Sequence, residues 1–219
     1  MADIFDEIEE DLRRDRMKEI WQRYGNYILG LAVLIIIGVA GHQGYNYWTE
    51  TKSQSSANTF YEAVTAENSL DALTLIASDL PEGYAMLARF RIAALYAEDG
   101  NNAAAEEIYL ELNEDTSIDI FYRDTALLLS VMNAPNSADK NSLIERIADI
   151  SAFVGPLQGL ALETSAGLYL ELNKTDKAIS SLTQASKLSD IPPSLQQRIS
   201  QSLSIISDNH TESSFVVAE

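Results

Sequence analysis

The sequence RFRIAALYAEDGNNAAAEEIYLEL at residues 89–112 decides the fold, because a related sequence, LETSAGLYLELNKTDKAISSLTQA, follows at residues 162–185. At a constant offset of 73 residues, small residues align with small ones and bulky residues with bulky ones. The aligned pairs are Ala93 with Ala166, Ala94 with Gly167, Tyr96 with Tyr169, Gly100 with Asn173, Ala105 with Ala178, and Tyr109 with Leu182. The helical spacing on either side of a turn predicts a repeated helical hairpin.

This pattern resembles the tetratricopeptide repeat. A small residue where two helices cross lets their axes approach, and a bulky residue fills the space beside it. An offset of 73 residues is about two repeats of 34 residues, so the hairpin at residues 118–152 counts as a degenerate repeat. Three positions depart from the repeat pattern, namely Arg89, Leu112 and Asn173. An unspecialised helical bundle is the alternative.

The chain from residue 49 onward reads as helical throughout. Turn-forming residues interrupt it at regular intervals, as at Pro81, Gly100 and Pro192, and no sustained alternation typical of strands occurs. We predict nine helices in short antiparallel hairpins between residues 52 and 207, within a tetratricopeptide-like domain over residues 49–207. Residues 208–219 are predicted to be a flexible tail.

Residues 27–48, YILGLAVLIIIGVAGHQGYNYW, contain no charged side chain. As a helix they would rise about 33 Å, enough for a hydrocarbon core of about 30 Å, and aromatic residues mark both ends. We therefore predict a transmembrane helix, with a buried core helix or a cleaved signal peptide as alternatives. The expected fold class is all-α, with this single N-terminal transmembrane helix followed by a short tetratricopeptide-like α-solenoid.

The distribution of cations predicts an orientation. Five cations precede the segment within residues 1–26, a charged and amphipathic stretch, whereas only Lys52 follows closely. Because the cationic side of a membrane helix stays in the cytoplasm, the N-terminus is expected there. In a bacterium this gives a single-pass inner-membrane protein that contacts the lipid bilayer through residues 27–48 and holds its C-terminal domain in the periplasm.

The composition excludes several functions. The chain has 15 Lys and Arg residues and 33 Asp and Glu residues, which gives a formal charge of −18. This strongly negative charge argues against nucleic acid as a partner. The chain has no Cys, so thiol chemistry is excluded. It has only two His residues, so few side chains are available for His-based acid–base catalysis or metal binding. No phosphate loop or nucleophile motif occurs. We expect no cofactor, no metal and no enzymatic activity.

The N-terminal sequence carries a more specific resemblance. It has D-I-F-x-E-I-x-E-D-L-R-R-D-R from Asp3 to Arg16 and W-x-x-Y-G from Trp21 to Gly25. With the apolar segment and the divergent repeats, the chain resembles the YfgM-like family of ancillary subunits of the SecYEG translocon, in its alphaproteobacterial form. The resemblance implies association with the translocon and with periplasmic chaperones that handle newly exported chains.

Partner-binding residues are expected on the first helix of each repeat, whose inner face lines the groove of such a solenoid. The repeat register places six candidates there: Phe90, Ala97, Glu98, Glu163, Leu170 and Glu171. The same register also marks Leu87 and Ala94 in the first repeat, and Leu160 and Gly167 in the later repeat. Glutamates in place of cations predict no clamp for a carboxylate terminus, and favour apolar or basic segments. Solvated helix faces are the alternative for these glutamates.

Small residues on the apolar segment are candidates for close helix packing. Gly30, Gly38 and Gly41 give one side of it a shallow profile, which suits contact with another membrane helix.

The sequence therefore predicts a membrane-anchored interaction adaptor at the export translocon. Its helical repeats would present a periplasmic surface to chaperones or newly exported chains. The alternative function is an envelope-assembly or cell-division scaffold, in which the repeats self-associate.

Overall fold

The computed structural model describes residue 18 and residues 34–43, 45, 47–48, 52–152 and 154–216, with side chains through residue 207. The chain divides into two compact units, Met1–Asn58 and Thr59–Glu219. The motif residues Asp3–Arg16 and Trp21–Gly25, and the predicted packing residue Gly30, lie outside the described residues.

The predicted transmembrane helix over residues 27–48 is wrong. Among the described residues, no helix combines the length and the apolar character needed to cross a bilayer. Residues 34–43 are helical. Residues 27–33, 44 and 46 lie outside the described residues.

The predicted location is corrected by the same finding. A single-pass inner-membrane protein with a cytoplasmic N-terminus and a periplasmic domain requires the span that the described residues lack. Gly38 and Gly41 lie in the helical stretch 34–43, and a Cβ atom added to either would meet nothing within 4 Å. These glycines therefore make no close packing contact in the described part of the chain.

The second unit consists of consecutive helices. Residues 52–65 are helical; the part from residue 59 lies in this unit and is called α1, and α2 spans Ser69–Ile76. They are followed by α3 (Glu82–Glu98), α4 (Asn102–Glu114), α5 (Ile120–Met132), α6 (Lys140–Arg146), α7 (Ala148–Ala152), α8 (Gln158–Glu171), α9 (Thr175–Ser186) and α10 (Pro193–Val216). Sequential helices pack on one another, most extensively α8 on α9, α4 on α5 and α3 on α4. The helical, tetratricopeptide-like part of the predicted fold is thus confirmed.

The repeat register explains the packing of two hairpins. Buried residues recur at the offset of 73 residues, in one apolar cluster between α3, α4 and α5 and another between α8, α9 and α10. The equivalent pairs are Ala93 with Ala166, Ala105 with Ala178, Tyr109 with Leu182, and Leu112 with Ala185, each at most 3% exposed. Small residues at the crossings allow close helix packing, as the sequence indicated.

The turns of the two hairpins are also equivalent. Gly100 has φ of 78° and Asn173 has φ of 57°, both in the left-handed region. The next amide donates to the carbonyl oxygen of a tyrosine in each case, from Asn101 to Tyr96 and from Lys174 to Tyr169, both at 2.8 Å. In both hairpins the first helix therefore ends at a residue in the left-handed conformation. Gly adopts this conformation freely and Asn tolerates it. Asn173 therefore adopts the same turn conformation as the glycine that the repeat pattern has at this position.

The third hairpin departs from the prediction. In the predicted hairpin over residues 118–152, the second half divides into α6 and α7 at the fully buried Ile147 instead of forming one helix. In addition, α10 continues to Val216, past the expected end at residue 207. Arg89, another departure from the repeat pattern, lies 3.0 Å from Asp115 and so replaces aromatic packing with an ion pair.

Candidate functional site

The main candidate site is a concave surface between α5, α6, α8 and α10, which we call the α8 groove. It encloses a cavity of about 380 Å³. The lining residues are Val131, Met132, Ala134, Asn136, Lys140, Leu143, Leu160, Glu163, Thr164, Gly167, Leu168, Glu171 and Arg198. Several of them share one face of α8, where spacings of three and four residues bring side chains into line. The periodicity of α8 therefore builds the longest wall of the groove.

The floor of the groove is apolar. Leu143 and Leu168 are buried in the same cluster as Val131, and Leu160 packs against it. Met132, at the C-terminus of α5, is 51% exposed. A methionine side chain is flexible and polarisable, which suits a surface that must adapt to an incoming apolar group.

Two ion pairs form the rim. The Arg198 guanidinium donates from Nε to Glu163 Oε1 at 3.0 Å and from Nη2 to Glu163 Oε2 at 2.5 Å. Hydrogen bonds and charge attraction from Glu163 raise the pKa of Arg198 above its usual value. On the other side, Lys140 Nζ lies 3.1 Å from Glu171 Oε2. Both groove glutamates are thus neutralised by cations of the same chain.

A glycine opens the middle of the groove. Gly167 lies inside α8, and a Cβ atom added to it would meet nothing within 4 Å. Gly159, near the N-terminus of the same helix, differs, because its added Cβ would lie 2.8 Å from Ile191 Cγ2 and 3.2 Å from Leu195 Cδ2. Gly159 is therefore required for packing, whereas Gly167 leaves free space beside the helix backbone.

The predicted site residues fall into two groups. Glu163 and Glu171 line the α8 groove with the register-predicted Leu160 and Gly167, whereas Leu170, 38% exposed, does not line it.

The three predicted residues of α3 lie elsewhere. Phe90 and Ala97 pack against the cluster around Tyr109, with the rings of Phe90 and Tyr109 6.1 Å apart. Glu98 lies 2.9 Å from Arg91. Burial first and the charge of Glu98 second raise the pKa of Tyr109. The structure therefore does not bring these α3 residues into the groove with Glu163 and Glu171.

Met132, Lys140 and Arg198 are among the groove residues that the repeat register does not mark. Lys140 and Arg198 lie on second or capping helices, outside the first-helix positions that the repeat register marks. Only the stacking of hairpins brings them to α8. A search for cations able to neutralise the two glutamates could have suggested them, but the sequence offers several such cations.

Within the described part of the chain, no group of three or more His, Asp or Glu side chains could hold a metal ion. An apolar floor with a polar rim suits a polypeptide segment that inserts apolar side chains.

Comparison with known families identifies the repeat. The sequence pattern of the tetratricopeptide repeat-like domain matches residues 18–140, more than half of the 219 residues. The chain belongs to this tetratricopeptide repeat-like family. Such domains mediate protein–protein interactions and are typically not enzymes. The match ends before α8, whose register rests on the equivalence with α3. Searches of curated proteins and of solved structures gave no match.

Proposed function

We propose that this chain is a protein-interaction adaptor whose α8 groove holds an apolar segment of a partner polypeptide. The observation that carries the proposal is the groove itself, a cavity of about 380 Å³ with an apolar floor and an open glycine in its wall. A tetratricopeptide repeat-like solenoid presents such concave surfaces to its partners.

The rim defines the preferred chemistry of the segment. Lys140 and Arg198 are already paired, so neither is free to clamp a carboxylate terminus. Glu163 and Glu171 are neutralised too, so the groove does not select for a cationic segment. Apolar contact with the floor is therefore the main source of affinity.

The partner proposed from the family resemblance is the protein-export translocon, with chaperones and newly exported chains as further ligands. Support for this partner comes from the sequence motif at Asp3–Arg16 and Trp21–Gly25 alone. The groove adds one compatible property, because a newly exported chain is unfolded and exposes apolar segments.

Photo-crosslinking in cells tests the proposal. The photoreactive residue p-benzoylphenylalanine is placed at Met132 in the groove or, as a control, at Leu75, which is 79% exposed on α2. We expect adducts from position 132 that position 75 does not give and that Gly167→Phe removes. Probing the adducts with antibodies to translocon subunits tests the named partner. Identical adducts from both positions would contradict the groove as the binding surface.

Self-association is the alternative function, and sedimentation equilibrium of the purified full chain distinguishes it. A monomer that still forms adducts from position 132 supports an adaptor. An oligomer whose adducts contain only this chain supports a scaffold.

A further inference from the structure

A second cavity lies away from the α8 groove, between α5, α7 and the segment that leads into α8; we call it the α5–α7 cavity. Its volume is about 360 Å³. Apolar side chains provide much of its lining, including Ile120, Phe121, Leu127, Ile150 and Val154. It shares no lining residue with the α8 groove.

The apolar residues at this cavity are unusually accessible. Val154 is 97% exposed, Ile120 is 60% exposed and Phe121 is 42% exposed. A contiguous apolar surface around a cavity is typical of an interaction site, because covering it removes apolar area from water. The described residues of this unit leave that area uncovered.

The charges at the cavity differ from those at the α8 groove. Asp124 and Asp149 line the cavity, and neither side chain forms an ion pair or a hydrogen bond with any described residue. The one cation in the lining, Arg146, is already neutralised, because its Nη1 lies 2.7 Å from Glu106 Oε1 and 3.3 Å from Ser130 Oγ. Two carboxylates are therefore left without a counter-charge beside an apolar surface.

We infer that the α5–α7 cavity binds a second polypeptide segment, one in which a large apolar side chain is flanked by Lys or Arg residues. The apolar side chain would fill the cavity, and the flanking cations would pair with Asp124 and Asp149. The carboxylates disfavour an acidic segment, because like charges repel. This site is independent of the α8 groove and selects a different sequence, since the glutamates of that groove are already paired.

Fluorescence anisotropy with three labelled peptides of twelve residues tests the inference on the full chain. The first peptide contains four Lys residues distributed among Leu and Phe residues. The second has Glu in place of each Lys, and the third has Ser in place of each Leu and Phe. We expect the first peptide to bind at least about tenfold more tightly than either control. Equal binding of the first two peptides would overturn the inference.

Matched variants locate the binding. Asp124→Asn with Asp149→Asn should weaken the lysine peptide about three- to tenfold and flatten the dependence of its affinity on NaCl concentration. Glu67→Gln with Asp79→Asn changes the net charge equally at exposed carboxylates outside the cavity, and should leave both properties unchanged. Equal weakening by both pairs would show attraction to the whole acidic chain and would overturn the site.

A charge swap keeps the test decisive if the neutral variants bind poorly for structural reasons. Asp124→Lys with Asp149→Lys should prefer the glutamate peptide over the lysine peptide. Gly167→Phe, which obstructs only the α8 groove, should leave the affinity for the lysine peptide unchanged. Loss of lysine-peptide binding in Gly167→Phe would assign the peptide to the α8 groove and overturn a second site.

Discussion

Two glycines in one helix provide the sharpest stability prediction. Gly167→Ala should stabilise the protein by about 0.5–1 kcal/mol, because Gly in a helix interior is less favourable than Ala by that amount. The new methyl group meets nothing within 4 Å, so no clash offsets the gain. The wall of the groove therefore contains a glycine, Gly167, that makes α8 less stable than alanine would at the same position.

Gly159→Ala should have the opposite effect. Its Cβ would lie 2.8 Å from Ile191 Cγ2, about 1 Å inside the optimal separation of two carbon atoms. Inserting a methyl group into a packed site costs about 1–3 kcal/mol. Because Gly159 is the second residue of α8, the gain in helix propensity offsets only part of this cost. We expect net destabilisation by about 1–2 kcal/mol.

Urea unfolding followed by circular dichroism at 222 nm measures both variants against the parent chain. The expected result is a higher midpoint for Gly167→Ala and a lower one for Gly159→Ala, with unchanged m-values. A lower midpoint for Gly167→Ala would show that another part of the protein covers that position in solution. The α8 groove would then not be open, and the reasoning would fail.

Three further changes test the turn, the core and the inter-repeat ion pair. Asn173→Gly should raise the free energy of unfolding by about 0.5 kcal/mol, since the left-handed region is less strained for Gly; thermal unfolding measures it. Tyr109→Phe should reduce the loss of stability above pH 10: burial raises the pKa of Tyr109 in the folded state, so its contribution is present below the unfolded pKa near 10 and is lost as pH rises through the folded value. Urea midpoints between pH 9 and 11 that fall equally in both proteins would contradict this. Glu106→Gln should destabilise the protein by about 1 kcal/mol because Arg146 loses its charged partner, whereas exposed Glu107→Gln should change stability by less than about 0.5 kcal/mol; equal urea midpoints would exclude a structural role for the pair.

The repeat could be predicted from the sequence because it depends on side-chain size at fixed spacing. Ala93 and Ala166 are small for the same reason, close helix crossing, and that reason is visible in the order of residues. Even Asn173, a departure from the pattern, adopts the left-handed conformation of Gly100. Local chemistry and tertiary packing agree at these positions.

The rim of the groove could not be predicted in the same way. Glu163 and Arg198 are 35 residues apart and meet only because α10 stacks on the last hairpin. The division of the third hairpin at Ile147 also has no marker, since neither Gly nor Pro occurs near it. The predicted membrane helix was also wrong. Hydropathy and aromatic ends describe a segment's composition, whereas no helix among the described residues is long and apolar enough to cross a bilayer.

The central claim, that the α8 groove binds apolar polypeptide segments, is tested most directly by fluorescence anisotropy on three proteins. The probe is a labelled, uncharged peptide of fourteen residues that contains Leu, Ile, Ser and Asn. The parent chain and Gly167→Ala should bind it within about threefold of each other, whereas Gly167→Phe should bind at least about tenfold more weakly while unfolding at a comparable urea concentration. Equal affinity in all three proteins would contradict the claim.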